Sequence, residues 1–430
     1  MLKSTLKTSI YLSILLIPFY FFRFSILGIK TNVFEVSVLI CLILEIIVIA
    51  KSSKRLKQFL MIDRHGLQPR DDKTMASGNG KWFLPCLFLL IAFVAAILSP
   101  DKTAALGIFK GYFLVPIILA WVVSKNIKKE EIWKLSIPLF IPLILISIWA
   151  ILQKAGFITT LFYQDADPSF DQYISQGRVF GPFESPNFLA MYLAPVMFLT
   201  LPIVEKLRSR IKKSIFLLVY ILPILALNFT GSRGGIIAFV IGLLVYLNYR
   251  FINLQKAESR RPFYAGLFTS LFVLINMLYL FYSIRIASLV SDSDKFRVEI
   301  YRHSLQLLKN NYFCGIGLAN FQNKLAALSS LTPAFRESGL PYALHPHNLF
   351  LAVWLNLGLL GIAVFLWLLV SFFKAVFSID GPMRAVLVAA MIAILVHGLF
   401  DTTYFKNDLS AILWLIFALT FILLKIEKHD

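Results

Sequence analysis

Apolar residues fall in long unbroken runs separated by short polar segments, the pattern of helices that cross a membrane. The hydrocarbon core of a bilayer takes about 20 residues of helix. Runs of that order lie at roughly 9–27, 31–50, 82–99, 104–124, 132–153, 187–204, 214–230, 234–250, 263–283, 348–370, 383–401 and 408–425. The pattern predicts an all-α polytopic membrane protein of about twelve transmembrane helices, and an even number brings both termini to one side. Three polar segments interrupt the alternation: 51–81, about 154–186, and the long stretch 284–347 between the ninth and tenth runs. Within the long stretch, Val298, Tyr301, Leu305 and Leu308 recur at helical spacing and predict a helix over 294–310 that can lie on a membrane surface. Gly315 and Gly317 then break the chain before a second short helix near 318–328. No internal repeat is visible, so residues 1–430 read as a single integral membrane domain.

Composition strengthens this picture. Of the 430 residues, 58% are hydrophobic and 15% charged, where a soluble domain carries about 25% charged residues; mean hydropathy is +0.77. The net charge of +19 would fit a nucleic-acid binder. Such proteins gather their basic residues on one water-facing patch, whereas here they sit in short clusters between apolar runs, so no nucleic-acid partner is expected. Charge instead sets orientation, because cytoplasmic loops retain Lys and Arg during insertion. With both termini cytoplasmic, most of the 42 basic residues fall on inner segments. Segment 51–81 then becomes a cytoplasmic basic linker, and 284–347 an outer loop region. Lys3 and Lys7 ahead of an apolar run begin as a signal peptide does, but no small-residue cleavage site follows, and the run reads as a retained span. Cys41, Cys86 and Cys314 form no CxxC motif and suggest no intrachain disulfide framework.

The polar residues that are unusual in so apolar a chain gather on the segments read as outer. Arg233 lies in Thr230-Gly-Ser-Arg-Gly-Gly235, a tight turn between two spans. Glycines there allow close backbone approach, helix-start N–H groups favour an anion, and a guanidinium grips two phosphate oxygens at once. The same turn also fits a compact helical hairpin whose Arg reaches lipid headgroups. Arg178, in Gly177-Arg-Val-Phe-Gly-Pro-Phe-Glu-Ser-Pro-Asn187, reads as an anion ligand or an interfacial anchor. Arg297 and Arg302 are five apart on the loop helix and do not share one narrow stripe, and Glu299 is spaced to pair with Arg302 or His303. His347, in His345-Pro-His347-Asn348, stands where a helix begins; it can serve as a proton acceptor, or it or Asn348 can simply cap the helix. His397 and Asp401, four apart near an outer helix end, can hydrogen-bond along one face, as a functional pair or as a helix-to-helix tie. Glu35 and Glu45 lie near opposite ends of the second run and are given no role. Asp165-Ala-Asp167 and Asp292-Ser-Asp294 can hold Mg2+ beside a phosphate, but such triplets are common in turns, Pro168 favours a turn, and no metal site is assigned.

Taken in order, these residues resemble the O-antigen ligase and O-antigen polymerase superfamily. The resemblance rests on Gly177-Arg178, Gly181-x-Phe183 and Pro186-Asn187, on Gly231-Ser-Arg-Gly-Gly235, and on Arg297-x-x-x-Tyr301 followed by Gly315-Ile-Gly317. It continues through His347-Asn348-x-x-Leu351 before Gly358-Leu-Leu-Gly361, and ends at His397-x-x-x-Asp401. The first 150 or so residues match only as apolar spans. The resemblance implies an inverting, metal-independent glycosyltransferase of the bacterial cytoplasmic membrane, with its active site facing outside and no cofactor. It would move a glycan from undecaprenyl pyrophosphate to an acceptor hydroxyl: lipid A core in a ligase, another lipid-linked glycan in a polymerase. By matching motifs, His347 would be the base, and Arg233, Arg297 and Arg178 would bind pyrophosphate. Arg302, His345, Asn348, His397 and Asp401 would support them. A lipid-linked glycan flippase or exporter is the alternative of another class; it would need charged residues spaced through the depth of the bundle, whereas these lie at one end.

Overall fold

Backbone N–H and C=O groups in a bilayer have no water to bond, so an apolar run is forced to pair its own backbone as helix. The computed structural model describes residues 2–51, 80–158, 173, 175–254, 292–329 and 343–424. Its helices are α1 (Leu2–Leu15), α2 (Val33–Lys51), α3 (Gly80–Ile97), α4 (Lys102–Asn126), α5 (Lys129–Lys154), α6 (Pro186–Lys206), α7 (Arg210–Phe229), α8 (Arg233–Leu254), α9 (Asp292–Asn310), α10 (Phe321–Ser329), α11 (Leu349–Phe377), α12 (Pro382–Gly398) and α13 (Asn407–Leu423). Eight of these, α2 to α8 and α11, are long and apolar enough to cross a membrane, and α12 and α13 are shorter apolar helices. The chain is therefore a mostly helical, multi-pass membrane protein. The expected ninth span, 263–283, and the linker residues 52–79 lie outside the described residues, as do Asp165 and Asp167.

The first expected span, 9–27, is a correction. Helix α1 ends at Leu15, a 3-10 turn follows at Ile17–Phe19 with Pro18 in its first turn, and Arg23 begins a strand. Strands β1 (Arg23–Ile26) and β2 (Ile29–Asn32) pair antiparallel, so the chain is not helical throughout and Arg23 is not inside a span. Hydropathy counts apolar residues without regard to their period, and Arg-Phe-Ser-Ile alternates polar and apolar as a strand does. The eleventh span is also shorter than expected. Helix α12 stops at Gly398, which leaves Asp401 in the loop beyond it.

Helices α6, α12 and α13 form the buried centre. Helix α8 packs along α12, α12 along α6, and α13 along α4. Peripheral helices turn large apolar side chains outward, among them Leu39 and Ile43 of α2, Leu90 of α3 and Leu218 of α7, as a lipid-facing surface requires. Polar pairs collect at the two ends of the bundle. Residues assigned to inner segments pair with one another, Lys7 with Glu131 and Arg250 with Glu205, both at 2.7 Å. Residues assigned to the outer side do the same, Arg23 and Lys406 both bonding Glu184.

The segment after α9 is fastened to α11 at a break in that helix. Gly358 has φ 72°, a left-handed conformation within the helix. The kink exposes backbone groups, and Ile316 N–H donates to Leu355 O while Leu359 N–H donates to Phe313 O. A Cβ on Gly358 would lie 2.2 Å from Phe313 O, so only glycine permits this docking. Gly315-Ile-Gly317 thus serves to seat the outer helices.

Glu35, which had no assigned role, is a buried structural centre. Its carboxylate accepts from Asn407 Nδ2 at 3.0 Å and Thr31 Oγ1 at 2.9 Å, and pairs with Lys110 Nζ at 2.7 Å. Glu45 likewise accepts from Asn126 at 2.9 Å. Either Glu35→Ala or Glu35→Gln leaves Lys110 without its carboxylate, but the alanine also leaves Asn407 Nδ2 and Thr31 Oγ1 without that partner, a further cost of about 1–3 kcal/mol for each buried group left unsatisfied. Glu35→Ala is therefore expected to lower the thermal midpoint in detergent well below that of Glu35→Gln, which keeps the amide-compatible contacts. Equal midpoints would show that Glu35 does not tie α2, α4 and α13 together.

Candidate active site

The site forms where five chain segments meet at one end of the bundle. The first is the loop before α6. Ser185 caps α6 by accepting from Phe188 N–H at 3.2 Å, and the cap places Asn187 in the first helical turn. Arg178 lies across this loop; its Nε donates to Thr230 O at 2.8 Å and its Nη2 to Asn187 Oδ1 at 3.3 Å. Asn187 Nδ2 in turn donates to Asp401 Oδ2 at 3.0 Å. Arg178 thus ties the loop to the turn that carries Arg233.

That turn is tight, as expected. Ser232 N–H donates to Thr230 Oγ1, and Ser232 Oγ accepts from Gly235 N–H at 3.3 Å, so Ser232 caps α8. Arg233 opens the helix and is half-buried. The two glycines after it make room for His397: a Cβ on Gly234 would lie 3.1 Å from His397 Cδ2, and one on Gly235 2.6 Å from Ala190 Cβ. The glycines therefore let α8 approach α12 and α6 closely, bringing the start of α8 beside Phe400 in the loop that holds Asp401.

Asp401 is the hub. Its Oδ1 accepts from the Thr402 backbone N–H at 2.8 Å and lies 3.1 Å from His347 Nδ1 and 3.7 Å from His345 Nδ1. Burial pushes its carboxyl pKa up, but His347 and the neighbouring imidazoles outweigh that and hold it below the usual carboxylate range. An ionised carboxylate only accepts, so the His347 Nδ1 facing it carries the hydrogen. In the neutral ring this leaves Nε2 unprotonated and able to take a proton. The expected His397–Asp401 pair along one helix face is not what forms. Asp401 lies beyond the end of α12 and turns to His347, while His397 Nδ1 is buried with no hydrogen-bond partner among the described residues.

His347 itself has φ 48°, a left-handed conformation rare outside glycine. Asn348, next in sequence, caps α11 by accepting from Leu351 N–H at 3.0 Å and donates its Nδ2 to Leu399 O at 3.1 Å. The capping role thus belongs to Asn348 and not to His347. His345 lies edge-on to His347 at 4.4 Å between ring centroids. Burial, followed by the charges of His347 and others, pushes its pKa down to about 3, so it is neutral near pH 7 and adds no positive charge.

Helix α9 lies over this group. Tyr301 OH donates to His347 O at 2.8 Å and also approaches Leu399 O at 3.3 Å. Arg297, one turn earlier, is half-buried, and its charge acts on Tyr301 and His345. Burial raises the Tyr301 pKa, which keeps the phenol a donor. Arg302 points elsewhere; it pairs with Glu299 at 3.0 Å on an exposed face, as the i, i+3 spacing predicts, and takes no part in the cluster.

Lys406 was not singled out by its sequence context. Its Nζ donates to Glu184 and, at 2.7 Å, to Tyr20 OH, and it lies 3.6 Å from the centroid of the Phe188 ring. Burial lowers its pKa, opposed by Glu184. Tyr20, Glu184 and Lys406 are remote in sequence, and no local pattern marks them. Asn187 and Tyr301 did carry a signal, the first following a Ser-Pro cap and the second spaced one turn from Arg297.

His345, His347 and Asp401 also place three donor atoms within 4.8 Å of one another, a set able to hold a metal ion. Two imidazoles and a carboxylate suit zinc or a similar divalent transition metal. The side chains of Asp292 and Asp294, at the start of α9, lie outside the described residues.

These features define a multi-pass α-helical membrane protein with a histidine, aspartate and arginine centre at one end of its bundle. Residues 218–366, which carry Arg233, Arg297, Tyr301 and His347, match the family model described as O-antigen ligase, and the resemblance to the O-antigen ligase superfamily stands on that match. Comparison with curated proteins gave no match. The match covers about a third of the chain and suggests glycosyltransferase activity of the ligase or polymerase type.

The geometry gives Tyr301 a definite task, holding α9 against the His347 backbone. Loss of a neutral hydrogen bond is worth about 1 kcal/mol, so Tyr301→Phe is expected to raise amide hydrogen exchange over 296–310 by about fivefold to tenfold. Exchange in α12 should be unchanged. Unaltered exchange in α9 would show that other contacts hold it.

Proposed function

We propose that this protein is an inverting, metal-independent glycosyltransferase of the bacterial cytoplasmic membrane. It transfers a glycan from undecaprenyl pyrophosphate to an acceptor hydroxyl on the outer face. The observation that carries the reading is the His347 ring, its Nδ1 held by the Asp401 carboxylate, under a helix that brings Arg297 close. The excess of Lys and Arg on the segments read as inner supports an outward-facing position for this centre.

In this mechanism His347 Nε2 takes the proton of the acceptor hydroxyl as its oxygen attacks the anomeric carbon. Attack comes from the side opposite the pyrophosphate, so the configuration inverts. The bond from the anomeric carbon to the phosphate oxygen breaks, and its electron pair leaves with undecaprenyl pyrophosphate. Asp401 stabilises the imidazolium as it forms, the role of the aspartate in hydrolase triads. Arg233 and Arg297 neutralise the charge that grows on the leaving group, which guanidinium forks do by bidentate contact. Arg178 acts in the same field while fixing Asn187. His345, Asn348 and His397 shape the cluster; Arg302 lies outside it. No cofactor is required, and the partners are the lipid-linked glycan, the acceptor and membrane lipids.

The same chemistry serves an O-antigen ligase, whose acceptor is lipid A core, and a polymerase, whose acceptor is another lipid-linked glycan. A flippase or exporter is disfavoured because the candidate groups converge on one site and do not line a path through the bundle.

Purified protein reconstituted with a polyprenyl-pyrophosphate glycan and an acceptor, in the presence of EDTA, is expected to transfer normally. Loss of transfer with EDTA and its return with zinc would assign His345, His347 and Asp401 to a metal instead. A positioned base contributes about 10²–10⁴-fold, so His347→Ala should lose that much. Arg233→Lys keeps the charge but loses the two-pronged grip, and transfer should fall severely. Near-normal rates in Arg233→Lys would return Arg233 to a lipid-anchoring role. Stepwise growth of a lipid-linked chain identifies a polymerase, and a single transfer to a different acceptor identifies a ligase.

A further inference from the structure

The hairpin between α1 and α2 has two chemically distinct faces. Its register pairs Arg23 with Asn32 and Ser25 with Lys30 on one face, and Phe24 with Thr31 and Ile26 with Ile29 on the other. Successive strand residues alternate sides, and directly paired residues share one. The ribbon is therefore polar on one side and largely apolar on the other. The polar side is engaged with the protein: Arg23 Nη2 bonds Glu184 Oε1 at 2.9 Å, Asn32 Oδ1 accepts from Glu35 N–H at 3.0 Å, and Lys110 donates to Lys30 O. On the other side Thr31, next to α2, donates to Glu35 at 2.9 Å, and the residues towards the tip are bare. Phe24, Ile26 and Ile29 are 42%, 47% and 63% exposed, and Leu27 at the tip is 98% exposed.

The turn itself is at odds with an aqueous setting. Leu27 and Gly28 form the two-residue loop, with φ 50° and 80°. Two successive positive φ values suit Asn-Gly or Asp-Gly, whose first residue tolerates the left-handed region. Here that position holds a leucine, which bears the steric strain and, in water, would expose its whole side chain as well. An apolar surrounding removes the second penalty and accounts for the choice. The chain also locates that surrounding: β2 runs directly into α2, a membrane-length helix whose Leu39, Ile40 and Ile43 face outward. The exposed apolar residues of the hairpin thus directly precede an outward-facing apolar helix surface in the chain, and Lys30 beside the tip offers a cation to anionic headgroups.

We propose that the hairpin is an interfacial membrane anchor, its tip at Leu27 and its Phe24, Ile26 and Ile29 side immersed in the bilayer leaflet next to the histidine–aspartate centre. Interfacial segments of this kind sit about 5–10 Å into the boundary between headgroups and acyl chains. Through Arg23 and Glu184 the anchor holds the loop that carries Arg178 and Asn187 at the level of the membrane surface. A site built there receives a polar headgroup whose hydrocarbon tail stays in the bilayer.

The test uses the full chain with the exposed Cys86 and Cys314 replaced by serine and a single environment-sensitive fluorophore attached at Leu27→Cys or at Ser25→Cys. Each protein is reconstituted in vesicles of phosphatidylethanolamine and phosphatidylglycerol, and quenching by nitroxide-bearing lipid is compared with quenching by aqueous iodide. The Leu27→Cys label is expected to lose most of its emission to the lipid quencher and little to iodide, with the opposite order at Ser25→Cys. A Leu27→Cys label quenched by iodide and not by lipid overturns the proposal. One protected from both also overturns it and indicates a protein partner instead. Leu27→Asn gives an independent reading, since it improves the turn in water. A tip in lipid predicts a lower thermal midpoint in vesicles, and an unchanged or higher midpoint counts against immersion.

Discussion

The buried carboxylate of Asp401 is the constraint on which the rest of the site depends. A charge taken out of water must be satisfied on every side, and here Asn187, the Thr402 backbone and His347 supply the donors. Each donor belongs to a different part of the chain. Satisfying one anion therefore brings together the start of α6, the end of α12 and the start of α11. Arg178 extends the set to the turn before α8, and Tyr301 extends it to α9. The same carboxylate fixes which His347 nitrogen carries the hydrogen, so in the proposed mechanism the group that assembles the site also prepares the base.

Around this hub, small residues and helix breaks set the distances. Gly234 and Gly235 let α8 close on His397, and the kink at Gly358 gives the segment after α9 a backbone to bond. Neither device touches a reacting atom. The first brings the start of α8 against His397, and the second seats the segment that follows α9.

Much of the fold was legible because apolar runs of bilayer length leave helix as the only way to satisfy the backbone. Boundaries from α2 to α8 fall within a few residues of the hydropathy reading, and the α9 helix follows from the spacing of Val298, Tyr301, Leu305 and Leu308. The first span was misread because hydropathy does not distinguish a period of two from a period of 3.6, and the hairpin at Arg23–Asn32 alternates. His347, Asn348 and Arg233 were visible as polar residues at helix starts. The partner of Asp401 was not: helical spacing pointed to His397, but α12 ends at Gly398 and frees Asp401 to turn toward a residue 54 positions away. Lys406 and Glu184 illustrate the same limit, since their pairing is set by packing between distant segments.

The central claim is that Asp401 acts as a carboxylate on His347 and not merely as a buried polar residue. The most direct measurement is the rate of glycan transfer by reconstituted Asp401→Asn, with the thermal midpoint measured alongside. Asparagine keeps the size and can still accept a hydrogen bond, but it cannot stabilise an imidazolium or enforce the Nδ1–H form of the ring. Comparable replacement in a hydrolase triad costs about 10⁴-fold, and a loss of at least about a hundredfold with a near-normal midpoint is the expected result. Transfer within a few-fold of the native protein would contradict the account.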